Sequence, residues 1–222
     1  MSLKNIEIRG GRVIDPATQF DEAVSLFIAD GRIAGIGQTP AGFKADQVID
    51  GTGLVVAPGL VDLSARIAGN IDAELEAAVA GGVTTLACPP DVNPIIDEPE
   101  LAERIVRHAE DVSQVRVLPV GAMTQGLAGT MLAEMSLLRD AGCIAVSQGR
   151  GLPADTKVLL RALQYAASCD VPVWLQPAEF HLSKDGIAHD SALASRMGLA
   201  AIPVVAETMG MQNVLSLAWE TG

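Results

Sequence analysis

From Leu54 onward the chain alternates short apolar runs with helix-length stretches, and this alternation constrains the fold more than any other feature. Residues 60–67, 83–88, 115–120, 143–147 and 171–175 read as apolar strands. Between them, residues 72–80, 97–110, 130–140 and 155–168 read as helices, and two further helical stretches follow at 191–197 and 203–220. The punctuation agrees. Gly81-Gly82 closes the first helix, Asp97 with Pro99 opens the second, and Ala141-Gly142 ends the third. Short apolar strands joined by helices imply parallel β/α order. A closed eight-stranded barrel of this kind takes about 250 residues. Residues 57–222 supply five such strands, so either the barrel is incomplete in this chain or the sheet is open.

Residues 1–56 follow a different pattern and read as a small β unit. Ile6-Glu7-Ile8 alternates. Residues 24–29 and 32–36 flank Asp30-Gly31, a hairpin signal because glycine tolerates positive φ. Residues 48–50 read as one more strand, closed by Gly51-Thr52-Gly53. The expected division is therefore 1–56 and 57–222.

Composition narrows the function classes. The formal net charge of -12 disfavours nucleic acid and anionic membrane as partners. Aromatic residues are only 3% of the chain, too few for a platform that stacks bases. No apolar run approaches the roughly 20 residues that span a bilayer. Cys88, Cys143 and Cys169 are far apart, contain no CxxC, and read as reduced cysteines of a cytoplasmic protein.

Several motifs in order resemble the class I dihydroorotases of the amidohydrolase superfamily. Ala57-Pro58-Gly59-Leu60-Val61-Asp62 is similar to the family's entry into barrel strand 1. Ala78-Val79-Ala80-Gly81-Gly82-Val83-Thr84-Thr85 resembles its turn into strand 2. Leu118-Pro119-Val120-Gly121-Ala122-Met123-Thr124-Gln125-Gly126-Leu127 resembles its segment after strand 3. Ala141-Gly142-Cys143-Ile144-Ala145-Val146-Ser147 resembles its strand 4. Ser195-Arg196-Met197-Gly198-Leu199, with Ile202-Pro203 and Ala206-Glu207, resembles a signature further on. The resemblance implies an α/β fold: a TIM-type (β/α) barrel of the metallo-dependent hydrolase kind, incomplete in this chain, beside the small N-terminal β unit. It also implies that the chain is about the first half of a family member, with strands 6 to 8 lying beyond it. Residues 1–222 alone are then expected to leave strands 1 and 5 as open apolar edges.

The active enzymes of this family use zinc-bound hydroxide to open and close a cyclic amide. Where the resemblance implies chemistry, this sequence departs from the family. The strand 1 His-x-His ligands fall on Ser64 and Arg66. A hydroxyl is a poor zinc ligand, and a guanidinium cannot ligate at all. The arginine that pairs with the substrate carboxylate falls at Ala68, and the substrate-contacting asparagine at Asp91. The strand 4 metal-bridging residue falls at Gln148 or Gly149, and the strand 5 histidine at Pro177. No catalytic residue and no metal are therefore expected at these positions. Asp62 remains, and is expected to pair with Arg66 or with backbone amides. His108 reads as a helix-surface residue. His181 and His189, with Glu179 and Asp190, form a faint cluster in a polar loop.

The resemblance is closest to the dihydroorotase-like chains that lack the zinc ligands and assemble with aspartate transcarbamoylase. Ser64 and Trp174-Leu175-Gln176-Pro177 carry that closer match. The implied role is a non-catalytic partner of aspartate transcarbamoylase in pyrimidine biosynthesis, as a homo- or hetero-oligomer without a cofactor. The alternative is an active zinc-dependent cyclic amidohydrolase whose ligands come from a C-terminal half.

Overall fold

The computed structural model describes residues 4–67 and 69–221. The chain forms two compact units, Met1–Gly59 and Leu60–Gly222.

The first unit is a five-stranded sheet. Strands β1 (Ile6–Asp15), β2 (Phe20–Ala29), β3 (Arg32–Ile36) and β4 (Gln47–Asp50) lie in the order β3-β2-β1-β4, and β5 (Val55–Val56) also pairs with β1. Asp30 and Gly31 both take positive φ, 50° and 71°, the conformation a two-residue hairpin needs to match strand twist. β1 runs for ten residues rather than the three legible in its alternation. A bulge between Ile8 and Gly11, with Gly10 at φ 68°, breaks the pattern. Before the bulge β1 pairs with β4, and after it with β5. A Cβ on Gly11 would stand 2.8 Å from Val56 Cγ2, so the second pairing needs glycine there. Val13, Leu26 and Phe27 form the buried centre, and Phe27 meets Phe43 edge to face at 5.3 Å.

The second unit holds a parallel sheet of β6 (Leu60–Asp62), β7 (Val83–Cys88), β8 (Arg116–Ala122), β9 (Ala145–Ser147) and β10 (Val173–Trp174). Their spatial order, β10-β9-β8-β7-β6, is the chain order, as successive β/α crossovers on one side of a sheet require. The result is half of a β/α barrel. The crossovers carry α1 (Ile71–Ala80), α2 (Pro99–Val112), α3 (Met135–Asp140) and α4 (Thr156–Ser168). After β10 come α5 (Phe180–Ser183), β11 (Ala188–His189), α6 (Ala192–Met197), β12 (Ala201–Ile202) and α7 (Val204–Thr221). Among the described residues no helix is long and apolar enough to cross a membrane.

The helix starts are set locally. Asp155 accepts the Lys157 amide at 2.7 Å and Ser191 accepts that of Ala194 at 3.1 Å, each capping its helix. Asp97 does not cap α2; Glu98 holds that position, and the Asp97 carboxylate takes the Gly126 amide at 2.7 Å. α3 is shorter than the 130–140 expected. Thr124 bridges to Leu132 and the Ala133 amide bonds to Met123 O, so this segment pairs with the end of β8 instead of coiling. β6 ends at Asp62, where the carboxylate accepts the Ser64 amide at 2.9 Å and turns the chain out of the sheet.

The core lies between the sheet and its helices. Leu75, Leu86, Ile96, Ala102 and Leu138 belong to one buried cluster, and Met123, Met135, Val146, Leu159 and Ala166 to a second. Two cysteines belong to it. Burial pushes the Cys88 thiol up to about 11 and that of Cys143 up to about 12, from an ordinary 9.0. Near pH 8 their thiolate fractions fall about 100-fold and about 1,000-fold below an unperturbed thiol. Iodoacetamide is therefore expected to alkylate the half-buried Cys169 in the folded protein, and all three cysteines only in denaturant. Intact mass reads the difference. Equal rates at Cys143 and Cys169 would contradict this packing.

Candidate functional site

In a parallel β/α sheet the strand C-termini form the working face, because the loops that follow them converge there. Here those loops carry Ser64 and Arg66 after β6, Asp91 after β7, Gln148 to Arg150 after β9, and Gln176-Pro177 after β10.

The dominant contact is an ion pair. Arg66 Nη2 stands 2.9 Å from Asp91 Oδ2, and Arg66 Nε donates to both carboxylate oxygens at 3.0 and 3.1 Å. Arg150 approaches the same carboxylate, with Nε 3.7 Å from Oδ2. Asp91 is the most enclosed of the three, with 19% of its side chain exposed against 33% for Arg66 and 73% for Arg150. Gly149 permits the approach. It has φ 75°, and a Cβ there would press to 3.0 Å against Asp91 Cβ. Asp62 takes the backbone-amide alternative, through Ser64, rather than pairing with Arg66. Asp91, at the position of the family's substrate-contacting asparagine, has its charge met by Arg66.

Gln148 is buried and belongs to a loop-bracing network. Its Oε1 accepts from the Thr124 hydroxyl at 3.0 Å, its Nε2 donates to Leu127 O at 3.0 Å, and Thr124 Oγ1 accepts the Gly129 amide. Pro177 lies in the turn against α7, its carbonyl close to Gly210. Ala68 lies outside the described residues.

The histidines are distributed elsewhere. His108 Nε2 is 2.7 Å from Asp72 Oδ1 and ties α2 to α1. His181 packs edge to face on Phe180 at 5.2 Å, and His189 is an exposed residue of β11. Glu179 caps α5 by accepting the Leu182 amide at 2.8 Å. Among the described residues no three His, Cys, Asp or Glu side chains gather to hold a metal ion. The family ligand positions offer a hydroxyl, a guanidinium, a carboxamide already bonded and a proline ring, and the two carboxylates nearby, Asp62 and Asp91, are taken up by the Ser64 amide and by Arg66. That set does not fit zinc.

The mouth between these loops is a cavity of about 180 Å³. Ser64, Arg66, Ser147 and Gln176 give it polar walls, and Leu63 and Trp174 apolar ones. The place of Arg150 beside Asp91 was not read from the sequence. For the Arg66–Asp91 pair the available signal was the appearance of opposite charges at two family site positions 25 residues apart; Arg150 carried none.

Comparison with known proteins decides the family. The family described as Dihydro-orotase-like matches residues 53–222. The chain belongs to that family. A dihydroorotase-like protein of Pseudomonas aeruginosa is 44% identical over 98% of this chain and 53% of its own length. A dihydroorotase of Solibacter usitatus is 38% identical over 98% of this chain and 52% of its own. The chain thus spans about half the length of the curated relatives it matches. Among solved structures, the L-hydantoinase (dihydropyrimidinase) of Arthrobacter aurescens superposes with a TM-score of 0.77 at 19% identity, over 99% of this chain and 51% of that one. At that identity the likeness establishes the amidohydrolase barrel fold, here as its first half.

Proposed function

We propose that this dihydro-orotase-like chain is non-catalytic, and that it serves pyrimidine biosynthesis as a structural partner of aspartate transcarbamoylase. The observation that carries the first part is the Arg66–Asp91 ion pair. A guanidinium occupies a position where the active enzymes place a zinc ligand, and it is tied down by a carboxylate at 2.9 Å. A guanidinium there cannot ligate a metal, it occupies the Asp91 carboxylate, and the neighbouring Ser64, Gln148 and Pro177 supply no good zinc ligand. The greater identity to a dihydroorotase-like protein than to a dihydroorotase, 44% against 38%, supports the same reading. The partner role rests on the family resemblance.

Elemental analysis and a dihydroorotate hydrolysis assay on the purified protein test the first part. The expected result is substoichiometric zinc and no turnover, unchanged by added zinc. Stoichiometric zinc with hydrolysis would establish the alternative, an active cyclic amidohydrolase. Sedimentation of the protein mixed with purified aspartate transcarbamoylase tests the second part. A shared boundary of fixed stoichiometry is expected, and independent sedimentation of the two would overturn the partner role.

A further inference from the structure

A second cavity lies apart from the mouth at the strand ends. Its volume is about 280 Å³, and it shares no lining residue with that mouth. Its walls come from the start of α1, from α2 and from the segments after β6 and β7. Ile67, Val92 and Ile105 are buried members of the core cluster, and with Ile71 they make the walls apolar.

Three polar side chains share the lining: Asn93, Arg104 and His108. All three are exposed, so they border the opening. Arg104 and His108 stand four residues apart on α2 and therefore on one face of it. The Nε2 of His108 is engaged by Asp72 at 2.7 Å, and the neighbouring Arg107 pairs with Glu103. The Arg104 guanidinium and the Asn93 carboxamide have no hydrogen bond or ion pair among the described residues. An apolar slot with an unpaired cation at its opening is the complement of an anion with an apolar tail.

Charge and size narrow the class. The planar fork of one guanidinium matches the two oxygens of a carboxylate. Asp72, bonded to the His108 ring, repels a dianion more strongly than a monoanion. The volume of 280 Å³ equals about nine waters at about 30 Å³ each, enough for a chain of about six to eight carbons with its head group.

We propose that this slot binds a short aliphatic monocarboxylate. The Arg104 guanidinium takes the carboxylate, the Asn93 amide adds a hydrogen bond, and the hydrocarbon chain lies against Ile67, Ile71, Val92 and Ile105. The site is independent of the mouth and holds whether or not that mouth is catalytic.

The chain has three histidines, and only His108 lines the slot. Proton NMR of the imidazole Hε1 resonances of the 222-residue protein therefore localises binding, with His108→Gln assigning the His108 line. Titration with hexanoate is expected to shift the His108 line saturably and to leave the His181 and His189 lines in place. Affinity is expected to rise about fourfold for each methylene from butyrate to hexanoate, as burial of hydrocarbon dictates. Hexanamide, the neutral analogue, is expected to bind about tenfold more weakly, and Arg104→Gln to weaken hexanoate by about tenfold. Arg104 is exposed, so the variant is expected to fold, and circular dichroism checks it. The absence of a saturable shift at His108 overturns the proposal, as do equal shifts at all three histidines. Acetate or hexanamide binding as tightly as hexanoate overturns it too, and so does unchanged affinity in folded Arg104→Gln.

Discussion

Gly210→Ala is expected to destabilise the second unit by about 2 kcal/mol, the reverse of what helix propensity dictates. In an unobstructed helix interior the same change gains about 1 kcal/mol, because alanine loses less backbone entropy. Gly210 lies buried in the middle of α7, against the turn after β10. A Cβ there would stand 2.5 Å from Pro177 O, 2.7 Å from its carbonyl carbon and 3.0 Å from the Ala178 nitrogen. All three atoms are backbone, so no rotamer change relieves the clash. The helix would have to move off the turn. That motion stretches the 2.9 Å hydrogen bond from the Glu179 amide to Ala206 O and uncovers Ala206, which is fully buried. Urea unfolding followed by circular dichroism reads the effect as a lower midpoint at unchanged slope. Gly81→Ala, at the end of α1, is the control. Its φ is -81° and its nearest neighbours are 3.4 and 3.5 Å away, so it is expected to be close to neutral. A raised midpoint for Gly210→Ala would mean that α7 does not approach this turn so closely.

Pro177 illustrates what the sequence reveals and what it hides. That it carries no imidazole is plain from its identity. That it forms the surface on which a helix glycine seats is a contact between distant parts of the chain, and no local pattern reports it. The helices that could be read correctly carry their own signals: Asp155 and Ser191 as caps, Pro99 in a first turn, Gly198 at φ 64° closing α6. The parallel order of the five barrel strands followed from their apolar character and the helices between them. Strand lengths were less legible, because partners set them. β1 continues through Gly10-Gly11 since β4 and β5 lie alongside it in turn, and β6 stops early since the Asp62 side chain bonds forward. The short β11–β12 pair exists only because two loop segments meet, Ala188 beside Ala201 and His189 beside Ile202. At the candidate site, Arg66 and Asp91 were each legible as a departure from the family pattern. Their pairing was not, because it depends on two loops from adjacent strands and on the missing side chain of Gly149.

Leu138→Ala is expected to produce the largest loss of any single core truncation on the β8 side of the sheet, about 3–4 kcal/mol. Leu138 is fully buried, and α3, which presents it, is only six residues long. So short a helix has little stability of its own and is held by what its side chains bury. Leu138 packs over Gly121 of β8. A Cβ on that glycine would stand 2.9 Å from Leu138 Cδ1 and 3.3 Å from its Cβ, with Cys143 Sγ at 3.4 Å. The glycine is thus the hole into which the leucine fits. Gly121→Ala alone is expected to cost about 1–2 kcal/mol, less than the leucine truncation, because the leucine tip can rotate where a backbone atom could not. The two changes together distinguish this packing from a merely apolar environment. With Leu138 truncated, the methyl that Gly121→Ala adds meets no clash and fills part of the cavity. The double variant is therefore expected to be more stable than the sum of the single losses by about 1 kcal/mol or more. Strict additivity in the cycle would mean that the two side chains do not share the space, and that α3 seats on β8 in a different register.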